Sequence, residues 1–125
     1  MKKIIQTADA PEPIGPYSQA VSANGMLFVS GQIAIDPSNG TLIMENIDAE
    51  THQVMRNIGS VLKAAGIDYT HIVKTGIFLK DMNDFARVNE VYGSYFKNAF
   101  PARETVQVAR LPRDVNVEIS VIALL

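Results

Sequence analysis

Residues 48–79 read DAETHQVMRNIGSVLKAAGIDYTHIVKTGIFL, and this stretch decides the fold class because two different hydrophobic periods meet inside it. From Asp48 onward, Val54, Ile58, Val61, Leu62 and Ala65 fall on one face of an α-helix. Gly66 supplies the C-terminal stop. His71 to Leu79 then turns to the β-branched alternation of a strand, with Val73, Thr75, Ile77 and Leu79 on one face. A helix running straight into a strand, each with one apolar side, predicts helices packed on a sheet.

Toward the N-terminus, Ser18–Ala23 and Met26–Gln32 are β-favouring and are joined by Asn24-Gly25, a pair that tolerates the positive φ angles of a type I′ hairpin turn. Pro11-Glu-Pro-Ile-Gly-Pro-Tyr17 precedes them; three prolines and a glycine make it a rigid loop. Asp36-Pro-Ser-Asn-Gly40 is a second turn cluster, after which Thr41–Met44 can add a short strand.

Toward the C-terminus, Asn83 or Asp84 can cap a second helix, whose apolar stripe is Phe85, Val88, Val91, Tyr92, Tyr95 and Phe96. Gly93 inside the stripe is expected to mark a close helix contact. After the break at Phe100-Pro101, Arg103, Thr105 and Gln107 point one way along a strand and Val106 and Val108 the other. Leu111-Pro-Arg-Asp114 turns the chain into a last strand. It carries Val117, Ile119, Val121 and Ala123 on one face, and Glu118, Ser120, Ile122 and Leu124 on the other.

The order hairpin, α, β, α, β, β, with two antiparallel-capable hairpins, predicts an α+β fold: a single domain over residues 1–125 with both helices on one side of a mixed sheet. The helices can cover only one sheet face. The other still bears Ile122 and Leu124, which predicts burial against another subunit.

Composition narrows the function classes. Eleven Lys+Arg against thirteen Asp+Glu give a net charge of −2, and the sequence pI is about 5.6, so nucleic-acid binding is disfavoured. Cysteine is absent, which excludes disulfides, thiolate zinc sites and a cysteine nucleophile. The apolar run in Met1-Lys-Lys-Ile-Ile-Gln-Thr7 stops after two residues, unlike a signal peptide, and no window approaches the ~20 apolar residues of a membrane span. The expected location is cytoplasmic.

His52 and His71 lie 19 residues apart and lack a third ligand, so no metal site is expected and both read as surface residues. Gly15, Gly25, Gly31 and Gly40 belong to separate turns or strand ends and form no phosphate loop. No Gly-x-Ser-x-Gly elbow is present. Arg103, by itself, reads as a solvated strand residue or half of a surface ion pair. Glu118 differs, because it interrupts an apolar strand where a carboxylate needs a partner. It is either a site residue or half of a structural ion pair.

Ile14-Gly-Pro-Tyr-Ser18, Ser30-Gly-Gln-Ile33, Asn83-Asp-Phe-Ala86 with Val88-Asn-Glu-Val-Tyr92, Phe100-Pro-Ala-Arg103, and Val106-Gln-Val-Ala-Arg-Leu-Pro112 leading to Val117-Glu-Ile119 together resemble the RidA (YjgF/YER057c/UK114) family along essentially the whole chain. Pro101-Ala-Arg103 is similar to the mark of its enamine/imine deaminase subgroup. The resemblance implies a fold like Bacillus-type chorismate mutase, a homotrimer with pockets between subunits, and hydrolysis of reactive 2-iminoacids (2-iminobutanoate, 2-iminopropanoate) to 2-ketoacids and ammonia without a cofactor. It implies that Arg103 clamps the substrate carboxylate, Glu118 orients or polarises the attacking water, Thr105 offers its backbone to the imine, and Tyr17, Ser30, Gly31 and Asn89 complete the wall.

A 2-iminoacid suits such residues. A planar guanidinium grips its carboxylate with two parallel hydrogen bonds, and the protonated imine carbon is electrophilic enough for a positioned water and a weak base. Two departures from the family pattern stand out: Glu104 where a small residue is usual, expected to point away from Arg103, and Thr105 where some members carry Cys. The competing reading is a non-catalytic trimer that binds ketoacids or other small ligands in the same cleft, with RNA cleavage as a variant. Retention of Arg103 and Glu118 favours the enzyme.

Overall fold

At Asn24 and Gly25 the backbone takes φ of 51° and 74°, the left-handed pair that a type I′ turn requires, and the two expected strands close over it. In the computed structural model, which describes residues 1–125, these are β2 (Ala20–Ala23) and β3 (Met26–Gln32), antiparallel to each other. A short β1 (Lys3–Ile5), which the sequence reading did not anticipate, pairs along the outer side of β2. Thr41–Met44 forms no strand beyond a single bridge from Leu42 to Ile35.

Helix α1 (Ile47–Ala64) begins where the side chain of Asn46 accepts from the Ala49 N–H at 2.8 Å, and ends before Gly66, whose φ is 79°. Strand β4 (Ile72–Leu79) follows, then α2 (Phe85–Gly93), β5 (Ala102–Gln107) and β6 (Val117–Leu124). The six strands lie in the order β1-β2-β3-β6-β4-β5. The fold is α+β with a mixed sheet, as expected.

Five local expectations are corrected. A register shift between Ile72 and Lys74 is a β-bulge that turns Val73 outward, 39% exposed, and gives its buried position to Ile72. Asp84 holds the N-cap position of α2 but makes no side-chain cap bond; the capping bond is made one turn earlier, where Asp81 accepts from the Asn83 N–H at 2.9 Å and starts a 3-10 turn that leads into α2. Helix α2 stops at Gly93, so Tyr95 and Phe96 pack from the loop beyond it. A Cβ on Gly93 would meet nothing within 4 Å, so that glycine marks no close contact. β5 and β6 form no hairpin: β5 lies parallel to β4, reached through α2, and β6 inserts antiparallel between β3 and β4.

The covered face closes into one core. Val54, Met55, Ile58, Val61 and Leu62 of α1 pack over Ile77, Leu79, Val117, Ile119, Val121 and Ala123, all fully or almost fully buried. Each such side chain contributes about 1.5–3 kcal/mol of transfer free energy. Neither helix is long and apolar enough to cross a membrane.

Candidate functional site

The bulge in β3 builds the first half of the site. Val29 faces Val121 and Gln32 faces Ile119, so Ser30 and Gly31 crowd into the space of one residue. The Ser30 hydroxyl donates to the Ser18 carbonyl at 2.6 Å, fixing the bulge to the strand entering the hairpin. Gly31 then lies against the Glu118 side chain so closely that a Cβ there would stand 2.8 Å from the carboxyl carbon. Any larger residue there would push the Glu118 carboxyl aside.

Glu118 has no ion-pair partner and accepts no hydrogen bond within the chain, so no ion pair inside one subunit explains it. Half-burial pushes its carboxyl above the usual carboxylate range. It opens into a niche of about 50 Å³ whose walls include Glu12, Ile14, Tyr17, Gly31 and Pro112. That volume admits a water or two and no substrate of iminobutanoate size. The proline-rich loop forms the outer wall and is held from below by buried Gln19, whose amide bonds Thr7, Ala10 and Pro11. The Tyr17 hydroxyl accepts from the Ile14 N–H at 3.3 Å, so its ring borders the niche.

The second half surrounds Arg103. Its guanidinium carbon lies 5.3 Å from the ring centre of Tyr92 and 5.7 Å from that of Phe85, so two aromatic faces cradle the charge. Tyr92 is itself pinned by donating to the Thr75 hydroxyl at 2.9 Å, and burial pushes its phenol upward. Arg103 has no carboxylate partner and makes no hydrogen bond within the chain, leaving its donors free. It borders an open cleft of about 340 Å³ with Asn89, Gly93, Phe100 and Pro101. Two strand positions on, the Thr105 hydroxyl is the one buried side-chain polar atom of the chain without a hydrogen-bond partner. Glu104 points to the opposite side and pairs with Lys74 at 3.2 Å, as alternation predicted.

These halves do not meet. Arg103 is level with Thr75 and Glu118 with Phe78, three residues along β4, so the two side chains leave opposite faces of the sheet. Tyr17, Ser30, Gly31 and Glu118 gather at one place; Asn89, Arg103 and Thr105 gather at another. Sequence reasoning missed the cradle, because Phe85 and Tyr92 read only as a core stripe, and missed Gln19, whose role no sequence pattern announces. The histidines have structural partners: His52 Nδ1 lies 2.9 Å from the Tyr95 hydroxyl, half-buried where a surface position was expected, and His71 completes a capping box with Asp68.

The family model described as Endoribonuclease L-PSP matches residues 7–125. The chain belongs to the RidA family. Its sequence is 57% identical to a RutC family protein of Synechocystis, over 98% of this chain and 96% of that one. It is 48% identical to the human 2-iminobutanoate/2-iminopropanoate deaminase, over 99% of this chain and 90% of the human one. The crystal structure of the YjgF gene product of E. coli superposes with a TM-score of 0.93 at 44% identity, each chain covered to 98%. In this RidA-family chain every element from β2 onward lies within the span that the family model matches.

Proposed function

We propose that the protein hydrolyses 2-iminoacids such as 2-iminobutanoate and 2-iminopropanoate to 2-ketoacids and ammonia, as a homotrimer in which the Arg103 half-site of one subunit faces the Glu118 half-site of its neighbour. The observation that carries this reading is the pairing of deficits. One half-site holds an unpartnered guanidinium beside an open cleft, the other an unpartnered carboxyl beside a water-sized niche, on faces that only a second copy can bring together. The exposed apolar side chains around Ile122 support such an assembly, as does 48% identity to a human protein named for this activity.

The chemistry follows from the groups. Arg103 binds the substrate carboxylate with two parallel hydrogen bonds while the aromatic cradle keeps its fork oriented. Water held by Glu118 adds to the carbon of the protonated imine, and the carboxylate accepts the proton that the water gives up. The C–N bond then breaks as the nitrogen takes up a proton, so R–C(=NH2+)–COO− and water become R–CO–COO− and NH4+. Burial raises this carboxyl above the ordinary carboxylate range, which makes it a stronger base toward the attacking water than a fully solvated carboxylate. Thr105 supplies its backbone to the imine end, and Tyr17, Ser30, Gly31 and Asn89 complete the wall.

The test is to generate 2-iminobutanoate and 2-iminopropanoate in situ and follow ketoacid release. Added protein should accelerate release above the spontaneous rate. No acceleration, together with ketoacid binding, would replace catalysis with ligand sensing.

A further inference from the structure

Among the buried polar side chains of α1, none of which takes part in the proposed chemistry, Glu50, Gln53 and Asn57 are only 0%, 8% and 1% exposed. Their spacing puts them in one row flanking the apolar stripe of the helix. A carboxylate sealed from water without a cation is costly unless its oxygens are fully hydrogen-bonded. Glu50 meets that condition through a single residue. Its two oxygens accept from the backbone N–H and the side-chain amide of Asn116, both at 2.8 Å.

Asn116 is the residue immediately before β6, two positions ahead of Glu118, and its carbonyl accepts from the Lys80 N–H at 3.0 Å. The entry of the strand is therefore held at amide, side chain and carbonyl. The other end of the polar row holds the segment that follows β3. Asn57 donates to the carbonyls of Ile33 at 3.1 Å and Ile35 at 2.9 Å, just past the Ser30-Gly31 bulge, while its own oxygen accepts from Gln53 at 2.9 Å. One helix face thus grips the backbone on both sides of the Glu118–Gly31 contact.

We infer that Glu50, through Asn116, is the positioning residue for Glu118, with Asn57 holding the opposing segment against which the Glu118 carboxyl is set. The inference rests on the deaminase reading only for what Glu118 does there. A tie that merely stabilised the loop would cost melting temperature and leave the Glu118 carboxyl and the turnover step untouched.

Two variants, Glu50→Gln and Asn116→Ala, separate these cases in the full-length protein. The first turns an N–H toward one of the two Asn116 donors; the second removes only the side-chain donor and carries the test where the first does not fold. The readouts are the 13C titration of the Glu118 carboxyl without substrate, and kcat and KM for 2-iminobutanoate. Glu12 and Tyr17 line the same niche, so the Glu118 resonance is assigned by its loss in Glu118→Gln. A carboxyl that slips from its niche changes both its hydration and its distance from the neighbouring subunit's Arg103, so its midpoint should move away from the wild-type value. Turnover should drop about tenfold or more, since a displacement near 1 Å suffices, while KM stays within about twofold because Arg103 still holds the substrate.

A folded variant with the wild-type Glu118 midpoint and wild-type kcat, whatever its melting temperature, would overturn the inference. If wild-type protein hydrolyses no imine but the midpoint still moves in both variants, the positioning stands and the deaminase reading falls.

Discussion

The two faces of the sheet are built from the same strands to opposite ends. On the helix-covered face, alternate residues of β6 and β4 disappear completely into the core. On the bare face, Ile4, Phe28, Val106 and Leu124 remain 41–49% exposed around half-buried Ile122, and Glu118 sits among them without a partner. The covered face satisfies itself within one chain. The bare face gathers apolar area and an unpaired carboxyl together, the combination expected where a second copy docks and brings a substrate-binding group with it.

Placing a charge on the bare face should break the contrast most completely. Ile122→Lys should reduce the mass seen by light scattering below that of a trimer and return imine hydrolysis to the spontaneous rate. Unchanged mass and activity would mean that assembly uses another surface. Next in size, Arg103→Ala should lose about 100- to several-thousand-fold in kcat/KM with the assembly intact, and Arg103→Lys should recover only part of it.

Mixing sharpens the point. Glu118→Gln should lower kcat by about 100-fold, yet trimers refolded from equal parts of Arg103→Ala and Glu118→Gln chains should regain about a quarter of the wild-type rate. That is the share of interfaces uniting an intact arginine with an intact glutamate. No regain on mixing would place both groups in one subunit's site.

A smaller effect is expected from Gly31→Ala. Its methyl group would displace the Glu118 carboxyl and cost about tenfold in kcat with little change in KM.

The smallest concerns stability. The carboxyl of Glu118 is raised in the folded state, so its contribution to stability is fullest below the unfolded carboxylate pKa and declines as pH rises through the folded one. Glu118→Gln should therefore melt slightly higher than the wild type at neutral pH, the difference vanishing in acid, as expected of a site that trades stability for function.

Much of the covered face is legible in the sequence because burial there imposes a period. Val54, Ile58, Val61 and Leu62, and the alternation from Val117 to Ala123, name their own core. The pairing of strands is not legible in the same way. Nothing local in Arg103–Gln107 distinguishes a hairpin with β6 from a parallel edge on β4, because both patterns need the same alternation. The Val73 bulge is equally silent, since a one-residue insertion changes register without changing residue types. Asp81, Asn83 and Asp84 are chemically equivalent caps, and only the 3-10 turn decides among them. Within the site, Glu118 is visible as a charge in an apolar strand. Arg103 is visible only through the Pro-Ala-Arg resemblance, and its opposition to Glu118 depends on a register that no single strand encodes.

The parallel placement of β5 also shapes how the molecule assembles and breathes. β2 and β3 meet across two residues, whereas β5 reaches β4 only after α2 has crossed over, so its pairing closes a longer loop and is expected to form later in folding. In the native state β5 is bonded along one side only, while β6 is bonded along both. Amide hydrogens of β5 should exchange by local opening well before those of β6. The strand that carries Arg103 can thus detach and return while the core beneath α1 stays folded.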